Sequence, residues 1–143
     1  MLVLTQPADR RAILERAASA AAFAMADAGI SAADLLAALE ARDQQAPTGT
    51  PEGVAFPHAV LPGLPRSVVV AIRTATPVEF GSNRPCDLVF AMFGDANQPW
   101  HHVRLLARLA RITGPADART RLRAAGTGDD LRAALLAEDA ANA

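Results

Sequence analysis

The stretch CDLVFAMFG, Cys86 to Gly94, constrains the fold of this chain more than any other. Only Asp87 interrupts the apolar run. The run is too short to span a membrane and too continuous for a strand with one wet face. It reads as a strand that needs apolar cover on both sides. SVVVAIR, Ser67 to Arg73, is rich in β-branched residues and reads as a second strand.

Helical segments flank these strands in sequence. PADRRAILERAASAAAFAMADAG, residues 7–29, reads as a helix opened by Pro7 and stopped by Gly29. Its buried stripe is Ile13, Ala17, Ala20/Ala21 and Ala24. Ser31 suits the N-cap of SAADLLAALEARDQQ, whose Leu35, Leu36 and Leu39 share a face. Beyond the strands, DANQPWHHVRLLARLARI is the strongest helix, with Pro99 near its start. PADARTRLRAAG and TGDDLRAALLAEDAANA give two more. Thr127 or Gly128 caps the last, and Asp129 and Asp130 lie at the positive end of its dipole. Between the helices lie the breaker cluster APTGTPEG, a short strand candidate VAF, and a turn-like TPVEFGSNRP with an apolar centre. MLVLTQ reads as an edge strand or a disordered start. No stretch is long enough to serve as a linker. The order predicts an α/β fold over residues 1–143, a single compact domain with a small mixed sheet covered by helices on both faces.

Composition narrows the function. The net charge is −1 and lysine is absent, which argues against a general nucleic-acid binder. The lone cysteine, Cys86, excludes an intrachain disulfide and reads as a small buried hydrophobe. With no membrane-length apolar run, and arginines after the first apolar residues, a cytoplasmic location without a signal peptide is expected. No short His/Cys spacing suggests zinc, and no metal or cofactor is expected.

Chemistry then falls to the three histidines. His58 follows Pro57 in GVAFPHAVLPG and is expected in a loop beyond a strand end, where functional groups are often placed. Imidazole is nucleophilic near neutral pH. His102 lies three and four residues before Leu105 and Leu106, so it extends the inward stripe of its helix, whereas His101 points to solvent. Arg104, Arg108 and Arg111 lie on another face. A histidine in the first turn of a helix sits where the dipole favours neutral imidazole and a nearby anion. Whether His58 and His102 meet is a property of the fold. Read alone, both also fit ordinary structural histidines.

TGTPEGVAFPHAVLPGL, TPVEFG, CDLVFAMF and HHVRLLARLARI together resemble the enzyme IIA domain of the bacterial phosphoenolpyruvate-dependent sugar phosphotransferase system, fructose/mannitol type, a group that includes nitrogen-regulatory IIA. The resemblance covers about residues 8–138. It implies that His58 is the phosphoryl acceptor and that His102 orients the phosphorylated ring by a hydrogen bond. Arg42, in the pair Arg42-Asp43, would contact the phosphoryl group. Thr48 and Gly49 would make the turn before the site and touch it. The implied partners are the phosphocarrier HPr or an equivalent, a IIB domain, and in the regulatory type a regulatory protein. No metal is implied. Two departures stand out. Pro51 replaces a family glycine and lacks an N–H, and Phe56 replaces a branched aliphatic before Pro57.

Overall fold

The computed structural model describes residues 1–81 and 84–141. Positions 82–83 of the expected turn and 142–143 of the expected last helix lie outside the described residues. The strands are β1 (Leu2–Leu4), β2 (Val54–Ala55), β3 (His58–Leu61), β4 (Val68–Val78) and β5 (Cys86–Asp95). The helices are α1 (Arg10–Ala24), α2 (Ala32–Gln45), α3 (Pro99–Thr113), α4 (Ala116–Arg123) and α5 (Gly128–Ala141).

β5 is the central strand. It runs antiparallel to β4 on one edge, and parallel to both β2 and β3 on the other. β1 closes the far side, parallel to β4. The sheet is therefore five-stranded, and it is mixed, as the sequence predicts. Alternate residues of β5 enter two separate cores. Val89, Ala91 and Phe93 join Ile13, Leu14, Leu35 and Leu39 of α1 and α2. Leu88, Phe90 and Met92 join Leu109, Ile112, Leu122 and Leu131 of α3, α4 and α5. That double cover is what an uninterrupted apolar strand requires. Each fully buried Leu, Ile or Phe contributes about 1.5–3 kcal/mol of transfer free energy.

Several boundaries differ from the sequence reading. α1 ends at Ala24, followed by a 3-10 turn over Ala26–Ala28, and Gly29 adopts φ 67°. Its buried residues are Ile13, Leu14, Ala17, Ala18 and Ala21, whereas Ala24 is exposed. β4 runs on to Val78, into the segment expected to turn, because Val78 still pairs with Cys86 after a register shift. Cys86 is buried, as expected of a small hydrophobe.

The segment before His58 is a tight hairpin. Gly53 N–H donates to Thr50 O at 3.1 Å, Thr50 N–H to Val54 O at 2.9 Å, and Phe56 N–H to Thr48 O at 3.0 Å. Gly53 has φ 80°, a conformation that favours glycine. None of these closing bonds uses a donor at position 51, so Pro51 fits the turn without removing one of them. Arg123 of α4 ties the hairpin to the sheet. Its Nε donates to Asp87 Oδ1 and Oδ2 at 3.0 and 3.1 Å, and its Nη2 to Glu52 O at 2.8 Å. Arg123→Ala is expected to lower the unfolding free energy by about 1–2 kcal/mol. The check is a shifted urea midpoint at constant slope; an unchanged midpoint would show that these bonds contribute nothing net.

Candidate functional site

Phe56 and Pro57 separate β2 from β3 along the outer edge of β5. Phe56 stacks on Phe90 with ring centroids 6.0 Å apart, so the larger side chain fills an aromatic niche in the second core. Pro57 O accepts from Met92 N–H at 2.9 Å, which carries the chain into β3. His58 is thus the first residue of an edge strand, paired with Met92, and half-buried; it is not in a loop as the sequence suggested.

Its ring opens into a cleft of about 550 Å³ between α2 and α3, lined by Arg42, Gln45, His58, Val60, His102 and Val103 among others. The hydrogen bonds fix its tautomer. Nδ1 lies 2.9 Å from Phe56 O, a group that can only accept, so Nδ1 carries the hydrogen. Nε2 then presents its lone pair and accepts from Arg42 Nε–H at 3.1 Å. Arg42 comes from the last turn of α2, and its Nη1 also donates to Ala46 O at 3.0 Å.

His102 meets His58 across the cleft, with ring centroids 5.1 Å apart. The helical stripe aimed it inward as expected, and only 9% of it is exposed. His101 is exposed and lines a different depression, beside Arg104 and Arg108. Neither ring nitrogen of His102 has a hydrogen-bond partner. Burial above all, and then electrostatic repulsion between its imidazolium form and the adjacent His58 ring, hold its pKa below the ordinary imidazole range. The direction is the one expected of a neutral donor, but burial is its leading cause. The unfolded chain protonates this group near pH 6.5, whereas the folded chain resists. Stability is therefore fully present above that value and declines as pH falls toward the lowered folded pKa. Denaturation midpoints are expected to decline below about pH 6.5 less steeply in His102→Gln than in wild type. Equal slopes would contradict this sign.

Sequence reasoning missed Gly94. A Cβ there would lie 3.1 Å from His102 Nδ1, so the glycine on β5 leaves room for that ring. The available signal was a glycine closing an apolar strand, which often marks close approach by another group. Thr48 and Gly49 do not line the cleft. Thr48 Oγ1 donates to Asp43 Oδ1 at 3.5 Å, Asp43 pairs with Arg10 at 3.2 Å, and Gly49 bridges to Ala55. These residues brace the hairpin behind His58. Among the described residues no group of three or more His, Cys, Asp or Glu side chains could hold a metal ion. No helix among them is long and apolar enough to cross a membrane.

Comparison with known proteins places this geometry among relatives. The model of the family described as phosphoenolpyruvate-dependent sugar phosphotransferase system, EIIA 2, matches residues 3–138. A nitrogen regulatory protein of Pseudomonas aeruginosa is 33% identical over 95 residues, 65% of this chain and 62% of that protein. One from Klebsiella oxytoca is 32% identical over 106 residues, 72% of this chain and 65% of that protein. The chain thus spans just under two thirds of these curated relatives. Among solved structures, nitrogen regulatory protein IIA-Ntr from Neisseria meningitidis superposes with TM-score 0.81 at 27% identity, covering 93% of this chain and 91% of that one. IIA mannitol from Escherichia coli gives 0.72 at 18% identity, covering 93% and 94%, a likeness of fold.

Proposed function

This chain belongs to the EIIA 2 family of the phosphoenolpyruvate-dependent sugar phosphotransferase system, and from that membership we propose that it is a phosphocarrier whose acceptor is His58. The observation that carries this reading is the Nε2 lone pair of His58, facing an open cleft beside Arg42 and His102. The lone pair attacks the phosphorus of a phosphohistidine on HPr or an equivalent carrier. A new P–N bond forms at Nε2, and the old P–N bond breaks with its electron pair returning to the donor imidazole. Nδ1 keeps its hydrogen on Phe56 O throughout. Positioning and charge stabilisation dominate such transfers. The Arg42 guanidinium offers a fork to two phosphoryl oxygens, and the neutral His102 ring offers an N–H. Thr48 and Gly49 enter indirectly, through the hairpin that sets the Phe56 carbonyl.

Two destinations for the phosphate follow. One is a IIB domain during sugar uptake; a mannitol IIA of the same fold has been solved in complex with phosphorylated IIB. The other is regulation, in which the phosphorylation state of His58 sets affinity for a regulatory partner. The second is favoured by identities taken over the same share of the chain, 27% to a nitrogen regulatory IIA against 18% to the mannitol domain.

The test is intact mass after incubation with phosphoenolpyruvate, enzyme I and HPr. An acid-labile gain of one phosphate is expected. No gain, while a control IIA in the same mixture is labelled, would overturn the proposal. Addition of a IIB domain then separates the destinations: rapid loss of the label to IIB supports transport, and retention supports regulation.

A further inference from the structure

We propose that Arg42 caps the resting nucleophile: its Nε–H occupies the only lone pair His58 can use, and must leave Nε2 before a P–N bond forms. The inference rests on the reading of His58 as acceptor, and adds a step to it. A neutral imidazole has one basic nitrogen, with one lone pair in the ring plane. Here that nitrogen is Nε2, because Nδ1–H is held by Phe56 O at 2.9 Å. The ring cannot offer its other nitrogen without breaking that bond. Arg42 Nε–H points into the Nε2 lone pair at 3.1 Å.

The cap is held from two sides. Arg42 Nη1 donates to Ala46 O at 3.0 Å, just past the end of α2, which fixes the guanidinium against the histidine. A guanidinium carries five N–H donors, so the group that blocks Nε2 keeps others for arriving oxygens. The cleft gives it space to move. An anionic phosphoryl group draws the guanidinium from Nε2 onto its own oxygens and so uncovers the nucleophile. A small neutral electrophile gives no such pull. Arg42 is thereby a positioning residue with opposite effects on two reactions: it assists the phosphoryl group and protects His58 from uncharged reagents.

Diethyl pyrocarbonate, a small neutral acylating reagent for imidazole, is the probe. At pH 8, above the ordinary imidazole range, protonation does not obscure the comparison. Mapping by peptide mass gives a rate for each histidine. His58 in Arg42→Ala is expected to react about 2–10-fold faster than in wild type, the factor that loss of one ordinary hydrogen bond implies. Exposed His101 serves as internal reference and keeps its rate. An equal or slower His58 rate, with His101 unchanged, overturns the cap. Wild-type protein supplies a second measurement, whether or not the variant folds. With 15N-labelled histidine, long-range proton–nitrogen correlations are expected to show Nδ1 protonated and Nε2 bare. A hydrogen on Nε2 overturns the proposal, because that nitrogen then accepts nothing. Neither experiment uses a phosphoryl donor. A faster variant beside a wild type that takes no phosphate would sink the phosphocarrier reading and leave the cap standing.

Discussion

Alanine at position 58 is expected to give a folded chain that gains no phosphate from phosphoenolpyruvate, enzyme I and HPr. The loss is complete because no other imidazole offers a comparable nitrogen. His102 is nine-tenths buried, and His101 faces a different depression. Folding should survive. The ring of His58 is half-buried, and its removal leaves the pairing of β3 with β5 in place. The variant forfeits the bonds to Phe56 O and Arg42, together about 1–3 kcal/mol. Intact mass measures the first effect and a urea transition the second. A phosphate that persists in His58→Ala would move the acceptor elsewhere, and peptide mapping would identify it.

The second large effect is expected at His102. His102→Ala should still accept phosphate on His58 but pass it onward about 10–100-fold more slowly, as loss of one charge-assisted hydrogen bond implies. The two ring nitrogens of His102 are buried without partners, which is costly for polar atoms and leaves them ready for an incoming oxygen. Single-turnover transfer from phosphorylated protein to a IIB domain or back to HPr measures the step. His101→Ala is the matched control, and its transfer should be unchanged. The reverse pattern, with His101 essential and His102 dispensable, would show that the wrong face of α3 has been assigned to the cleft.

Much of this arrangement is legible in the chain. The β4 and β5 strands announce themselves by branched and continuous apolar residues, and His102 by its place on the stripe of α3. The strand β3 does not. HAVL is bounded by Pro57 and Pro62, and four residues are too few for alternation to register. It becomes a strand because β5 offers an open edge beside it. The end of β4 is hidden because the proline in Thr-Ala-Thr-Pro argues against a strand interior, and the pairing of Val78 with Cys86 of β5 decides it. The contact between Arg42 and His58 is beyond local pattern, since it depends on where α2 crosses the edge of the sheet. Gly94 was visible only as a strand end; its value lies in the ring that packs on it.

Arg42 stands on a helix of one hydrophobic layer, His102 on a helix of the other, and His58 on the rim between them. A triangle suspended this way has no frame of its own, and its tolerance is that of the stacking on either side. A void opened beneath α2 or α3 shifts one vertex against the other two, and costs alignment before it costs the fold. Selection on the alignment of this triangle therefore reaches into both layers at once and ties their evolutionary drift together. A substitution that shifts one layer is best offset in the other, between residues that never touch.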